Sequence, residues 1–320
     1  MKAIVYTEYG SPDVIWLEDV EKPVAKQGEV VLKVRAASVN ALDRHFMRGT
    51  PYPMRLVMGL RAPKLPRLGV DVAGEVEAVG PDVSGLKPGD AVFGTCRGAF
   101  AEYAWTKSDR LLPKPAKLSF EEAAAAPIAG FTALQALRDV GKLKAGQKVA
   151  IDGAGGGVGG IAVQIAKAYG AEVTAICGSG NLDRMRALGA DHMVDYSKED
   201  FTRKGQRYDL ILGANAFHSL LDYRRALAPG GNYVVTGGGG SQMLQAILLA
   251  PFLSLAGSRK LSMKGAKAKQ EDLQVLKEML EAGKIKPDID RRYPLEQTAD
   301  ALRYMEAGHV RGKILITVAS

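Results

Sequence analysis

The residues whose types and spacing most directly suggest chemistry lie mid-chain, at Gly153-Ala154-Gly155-Gly156-Gly157-Val158-Gly159-Gly160. They follow a short apolar run, Lys148–Asp152 (KVAID), that reads as a buried strand. They open a segment, Val158–Tyr169, whose apolar residues fall at 158, 161, 162, 165, 166 and 169. That spacing is helical, and Gly170 supplies the stop. Strand, glycine turn and helix in this order are the context that a dinucleotide fingerprint requires. Small residues let the backbone turn tightly and approach a pyrophosphate, and the helix N-terminus offers unpaired N–H groups to the anion. The competing reading is a turn that only permits close helix–sheet packing. The expected cofactor contacts here are Gly153, Ala154, Gly156, Gly157, Val158 and Gly159.

The second strand of such a unit usually ends in Asp or Glu when the cofactor is NAD, because the acid holds the ribose 2′-hydroxyl. Here the strand Glu172–Cys177 runs into Gly178-Ser179-Gly180-Asn181, with no acid. A carboxylate there would repel a 2′-phosphate, so its absence permits NADP. Ser179, Asn181, Arg184 and Tyr196 are candidate phosphate partners, with Arg184 equally readable as part of a solvated helix face. NADPH is the expected cofactor.

A catalytic zinc needs three Cys, His or carboxylate ligands at an open site, and a structural zinc usually four cysteines. The chain has two cysteines, Cys96 and Cys177. Asp43, His45, Asp71 and Glu75 match no recognised ligand spacing. No metal is expected.

Two kinds of segment must position these residues. The first third holds short strand-like runs, Val30–Val34, Asp71–Val79 and Ala91–Phe93, broken by Gly, Pro and Asp, which suggests a compact β-barrel-like domain. Tyr52–Arg67, rich in Pro, Arg and Lys, reads as an exposed loop. After Pro115 the pattern changes. Ser119 can cap a helix with Glu121 and Glu122 in its first turn. From Lys148 onward strands alternate with helices, which implies right-handed crossovers and a parallel sheet. A helix at Gln270–Ala282, an extended piece, a helix at Gln297–Ala307 and a strand at Lys313–Val318 complete the chain.

The 320 residues suffice for two domains. The net charge of +8 is dispersed, with a loose cluster at Arg259, Lys260, Lys264, Lys267 and Lys269, and reads as a solvated face with no nucleic-acid partner. Two distant cysteines argue against a disulfide framework and for a reducing compartment. Met1–Tyr6 reads as a strand, not a signal peptide. No apolar run reaches the ~20 residues that span a bilayer. Leu244–Leu255 comes nearest and contains Pro251. The expectation is a cytoplasmic protein with no membrane partner.

The chain resembles the medium-chain dehydrogenase/reductase superfamily, in its zinc-independent quinone oxidoreductase-like branch, over nearly its whole length. The motifs that carry the resemblance are Val39-Asn40-Ala41-Leu42-Asp43, Leu68-Gly69-Val70-Asp71-Val72-Ala73-Gly74, Val83–Phe93, Phe100-Ala101-Glu102-Tyr103 and Pro127–Leu137. They continue in the glycine turn, Leu188-Gly189-Ala190-Asp191, Pro229-Gly230-Gly231 and Gly312-Lys313. The resemblance implies an α/β protein. A GroES-like β-barrel domain (1–123 and 268–320) would enclose a Rossmann doubly wound parallel-sheet domain (124–267), with the active site in the cleft between them. In zinc-dependent relatives a Cys and a His stand where this sequence has Asn40 and Asp71. By the same resemblance Asn40 would line the nicotinamide side, Thr132 would touch the cofactor, and Gly237 would lie where backbone meets nicotinamide. Tyr196 would lie near the adenosine phosphate, and Lys313 joins the cofactor set. Relatives often carry Ser at 178 and Arg or Lys at 180 or 181, where this chain has Gly178, Gly180 and Asn181, with Ser179 the substitute. A homodimer through the last Rossmann strand, Lys260–Met263, is also implied.

The implied reaction is hydride transfer from NADPH to a quinone or an α,β-unsaturated carbonyl compound, which needs no Lewis acid because charge spreads into the conjugated oxygen. Asn40, His45 and Tyr52 are the candidate hydrogen-bond and proton donors; Asn40 is preferred over its reading as a turn former, while His45 and Tyr52 are equally readable as a surface helix residue and a loop contact. Substrate selection would fall to Tyr52–Arg67 and Gly237–Leu255. Two other classes share these features: a non-catalytic NADPH-binding protein of the same fold, and a zinc-dependent alcohol or aldehyde dehydrogenase.

Overall fold

The strand expected at Val30–Val34 runs much further, from Glu29 to Val39. Along one edge its first half pairs antiparallel with Tyr103–Lys107 and its second half with Lys313–Thr317, while Asp71–Val79 follows the other edge. Ala91–Thr95 and Leu111–Pro113 extend this sheet to seven strands, and Ile289–Pro294 lies parallel to Lys313–Thr317. β-Branched and aromatic side chains, among them Val34, Val72, Phe100, Ile314 and Ile316, form its buried core with Leu302 of the helix Thr298–Glu306. The structure is a computed structural model that describes residues 1–238, 245, 248–250, 252–254 and 257–318. Parts of the apolar run Leu244–Leu255, Pro251 among them, and much of Gly237–Leu255 therefore lie outside the described residues.

The chain divides into two units. One comprises Met1–Ile128, Ala268–Glu281 and Asp288–Ser320, and the other Ala129–Lys267 and Ala282–Pro287. The second unit is built on six parallel strands in the order His192–Asp195, Glu172–Cys177, Lys148–Asp152, Tyr208–Gly213, Leu227–Val235, Lys260–Met263. Taken in chain order that is 3-2-1-4-5-6, so the winding reverses between Lys148–Asp152 and Tyr208–Gly213. The carboxyl ends of strands at such a reversal leave a crevice that binds ligands. The architecture is the α/β one expected, a β-rich unit and a doubly wound parallel sheet.

Local signals placed several elements well. Ser119 Oγ accepts from the Glu122 N–H at 3.1 Å while a Glu122 carboxylate oxygen accepts from the Ser119 N–H at 3.0 Å, a reciprocal cap that starts the helix Phe120–Ala124. Other features were not legible locally. Gln135–Val140 winds as a π-helix directly after the helix Pro127–Leu134. Within Tyr52–Arg67, a 3-10 turn at Tyr52–Met54 and one helical turn at Arg55–Met58 interrupt the expected loop.

Candidate functional site

Gly156 starts the helix Gly157–Ala168 without any side-chain cap, so no N-cap side chain takes up the first N–H groups, which a helix leaves without intrahelical partners. The turn before it is packed tightly. Gly153 has φ +83°, and a Cβ at Gly159 would stand 2.2 Å from Gly153 O, so only glycine allows the helix to start against the strand end. Ala214 and Asn215 donate their N–H groups to Asp152 O at 2.9 and 3.2 Å, which closes the end of Tyr208–Gly213 against that of Lys148–Asp152. Gly237 joins the same edge: its carbonyl accepts from Ala216 N–H at 3.0 Å, and its own N–H donates to Gly213 O at 3.3 Å. The turn and Gly237 thus gather at the winding reversal. Thr132, buried on the helix Pro127–Leu134, belongs to the same unit.

The candidate 2′-phosphate residues assemble beside that turn. Arg184 donates through Nη2 to Gly155 O at 3.0 Å and through Nη1 to Asn181 Oδ1 at 2.8 Å, so its guanidinium is part of the turn and not a solvated face. The Tyr196 hydroxyl lies 3.2 Å from where a Cβ on Gly178 would stand, and its ring meets Phe217 edge-on at 5.6 Å. Ser179 Oγ donates to Asp195 Oδ2 at 2.5 Å. Asp195 also accepts from Ser197 N–H at 3.0 Å and Ser197 Oγ at 2.7 Å. The hydrogen bonds from Ser179 and Ser197 hold its carboxyl down at about 2, so it is ionised. This acid was missed because it comes from the third strand, not the second. Its oxygens are engaged by Ser179 and Ser197, with Lys198 Nζ at 3.6 Å, while the Arg184 guanidinium stands against the turn itself.

One more buried acid supports the turn from below. Asp152 ends the first strand, fully buried, and accepts from the Tyr223 hydroxyl at 2.5 Å. Tyr223 Oη in turn accepts from the N–H groups of Phe217 and His218, and Tyr233 stacks on its ring at 4.3 Å. Burial pushes the Asp152 carboxyl up to about 7 despite the tyrosine.

In the first unit the strand register brings a second set together. Ser38 is paired with Asp71 and Val39 with Ile314, so Asn40, Asp71 and Lys313 meet at one end of three neighbouring strands. Lys313 Nζ donates to Asn40 Oδ1 at 2.7 Å and Val39 O at 3.3 Å, and lies 3.5 Å from Asp71 Oδ2. Asn40 Nδ2 donates to Asp71 Oδ2 at 2.9 Å and Ser38 O at 3.1 Å, and Ser38 Oγ reaches the same Asp71 oxygen at 2.7 Å. The other Asp71 oxygen accepts from Ile128 N–H at 2.9 Å. Asp43, also fully buried, accepts from the N–H groups of Asn40 at 2.8 Å and Gly69 at 3.1 Å. Burial raises Asp43 to about 7 and lowers Lys313.

This network changes what the candidate donors can do. Both Asn40 amide hydrogens are committed, so Asn40 is held in place and has none to give a substrate. His45, on the helix Ala41–Arg48, has a buried Nδ1 without a partner, and burial together with Arg44 lowers its pKa, which keeps the ring neutral. Tyr52 is exposed, with the Arg55 guanidinium 5.0 Å over its ring. Among the described residues no group of three or more His, Cys, Asp and Glu side chains is placed to hold a metal ion.

Residues 26–116 match the model of an alcohol dehydrogenase GroES-like domain, and residues 188–316 that of a zinc-binding dehydrogenase. The chain is 35% identical over 335 residues to a 2-methylene-furan-3-one reductase of Solanum lycopersicum, covering 99% of this chain and 79% of that protein. It is 31% identical over 347 residues to an NADPH-dependent alkenal/one oxidoreductase of Arabidopsis thaliana, again covering 99% and 79%. Among solved structures, the quinone oxidoreductase from Coxiella burnetii superposes with a TM-score of 0.88 at 30% identity, covering 100% of this chain and 99% of that one. An NAD-dependent alcohol dehydrogenase superposes with a TM-score of 0.85 at 31% identity, covering 100% of both chains.

Proposed function

The chain belongs to the medium-chain dehydrogenase/reductase superfamily, in its quinone oxidoreductase-like branch, and from that premise we propose that it is an NADPH-dependent reductase of quinones or α,β-unsaturated carbonyl compounds. The observation that carries this reading is the Asn40–Asp71–Lys313 network. An ammonium fills the place among these groups, and neither it nor the carboxamide N–H offers a lone pair to a metal. A conjugated acceptor suits such a site, since its own carbonyl takes up the charge that a hydride brings. NADPH supplies that hydride.

The residues around the glycine turn fit the cofactor. The N–H groups at Gly157–Gly159, uncapped by any side chain, would meet the pyrophosphate, Arg184 and Tyr196 would hold the 2′-phosphate end, and Thr132 and Gly237 the nicotinamide half. Ser179 and Asn181 orient this end, through Asp195 and Arg184 respectively. Asn40 and Lys313 act as positioning residues. The Tyr52 hydroxyl, or water admitted beside neutral His45, delivers the proton that completes the two-electron reduction. The likeness to relatives named for furanone and alkenal/one reduction supports this choice of acceptor.

Two further readings rest on the same premise. The edge strand Lys260–Met263 and the exposed Leu221, Leu248, Leu249, Phe252 and Met263 support a homodimer. Two buried free cysteines, Cys96 and Cys177, support a reducing compartment such as the cytoplasm.

The test is nicotinamide absorbance with NADPH and a panel of quinones and enones, beside NADP with primary alcohols. Turnover of conjugated acceptors is expected. Alcohol oxidation without it would favour the dehydrogenase class, and cofactor binding without any turnover the non-catalytic one.

A further inference from the structure

Between Asp43 and Asp71 the chain has no Asp or Glu, yet it carries Arg44, Arg48, Arg55, Arg61, Lys64 and Arg67. Three of these are engaged. Arg44 and Arg48 pair with Glu306, and Arg55 turns inward, donating to Gly49 O at 2.9 Å with its guanidinium 4.4 Å over the Tyr9 ring. Arg61, Lys64 and Arg67 pair with no carboxylate among the described residues.

The same stretch holds large apolar side chains out in solvent. Leu56, Val57, Leu60 and Leu65 are 71, 79, 67 and 48% exposed. Single exposed apolar residues need no explanation, but a cluster in one segment marks a contact surface. Nor is the segment slack. Tyr9 Oη donates to Gly59 O at 2.7 Å, and Lys64 N–H to Met58 O at 2.8 Å. A Cβ on Gly59, whose φ is +123°, would stand 2.0 Å from Ala62 O, so the backbone is folded closely on itself. The chain braces this loop and points its apolar residues away from the core.

We propose that residues 56–67 dock on the surface of an anionic phospholipid bilayer. Leu56, Val57 and Leu60 enter the headgroup boundary, and Arg61, Lys64 and Arg67 meet lipid phosphates. Charge selects this occupant. A second copy on this segment would set Arg61, Lys64 and Arg67 against the same three cations, and like charges facing one another in the contact oppose it. An acyl boundary lined with phosphates satisfies both halves of the surface at once. Among the described residues no helix is long and apolar enough to cross a membrane, but lying on one needs only such a surface. The bilayer is also where an apolar quinone dissolves, a benefit that rests on the reductase reading, whereas the docking itself does not.

Cosedimentation of the full-length protein with phosphatidylcholine vesicles, with and without phosphatidylglycerol, tests this. Binding is expected on the anionic vesicles and should weaken as salt rises. Each basic residue contributes about five-fold to partitioning, so Arg61→Glu with Lys64→Glu should lower it by at least ~25-fold. Leu56→Asp with Val57→Asp should remove it while the thermal melt stays at wild type, because both side chains are exposed. Vesicles should also protect Arg61 and Lys64 from trypsin. No binding to anionic vesicles, or binding that both double variants retain, overturns the proposal. So does vesicle-independent self-association lost in Leu56→Asp with Val57→Asp, which assigns the surface to a second copy. Vesicle binding without turnover of any conjugated acceptor supports docking and sinks the reductase reading; turnover without vesicle binding does the reverse.

Discussion

Lys313, Asp71 and Asp43 are all buried in the first unit, so the ammonium and the carboxyl groups must balance one another. Removing one partner of a buried ion pair leaves the other charge uncompensated. Lys313→Met keeps the length of the side chain and drops the charge, leaving Asp71 with only neutral donors. It should lower unfolding free energy by about 3–5 kcal/mol in a urea titration; a loss well under 1 kcal/mol would mean that Asp71 is not held by the ammonium. The acids give a second residue-scale expectation. Asp43 and Asp152 are both pushed up to about 7 by burial, whereas the unfolded chain releases such protons near pH 4. Between these values the folded state binds more protons than the unfolded one, so their contribution to stability is full below about pH 4 and is lost as pH rises toward 7. Asp152→Asn keeps an acceptor for the Tyr223 hydroxyl and removes one titration. Its stability between about pH 5 and 7 should fall less steeply than wild type, by up to about 1.4 kcal/mol per pH unit. Equal slopes for the two proteins would show that Asp152 is already ionised in the fold.

Elements, not single residues, decide what the cofactor meets. Gly159→Ala forces a Cβ against Gly153 O, and because that atom is backbone the helix must retreat from the strand end. NADPH affinity should drop, with about 1–3 kcal/mol of stability lost to overpacking; isothermal titration that finds affinity intact would show that the turn does not hold the pyrophosphate. Arg184→Ala separates two roles. As a reader of the 2′-phosphate, Arg184 should matter for NADPH by about ten-fold or more and little for NADH. If it only braces Gly155 O, both cofactors should weaken alike, and the kcat/KM ratio decides. What was legible in the sequence follows the same division. The glycine turn, the Ser119–Glu122 cap and the alternating strands could be read because each is written in adjacent residues. The Asn40–Asp71–Lys313 network could not, since Lys313 lies 273 residues from Asn40 and only strand register joins them. Asp195 was overlooked for the same reason: its neighbour Ser179 belongs to a different strand–helix connection. The strand Glu29–Val39 outran its expected end because pairing partners on both edges sustain it beyond the apolar run.

At the scale of the whole molecule the unanswered surface is the sheet edge of the second unit. Among the described residues Lys260–Met263 pairs with Leu227–Val235 on one side only, and an edge strand left bare invites another chain. In the same unit Leu221, Leu248, Leu249, Phe252 and Met263 are exposed, and Ser219, Leu220, Leu221, Gln245, Leu249, Phe252 and Leu253 line an apolar recess of about 280 Å³. A two-fold axis at this edge would join two copies by the same patch and cover these side chains together. Basic charge opposes self-association in general, but here the contact residues are apolar, so burial can exceed the repulsion. The expected outcome is a dimer by light scattering in moderate salt. Phe252→Asp with Met263→Asp should place two pairs of like charges across the axis and yield a monomer that still binds NADPH, since neither residue belongs to the glycine turn. A wild-type protein that scatters as a monomer at every concentration would leave this edge to some other partner, and the apolar recess with it.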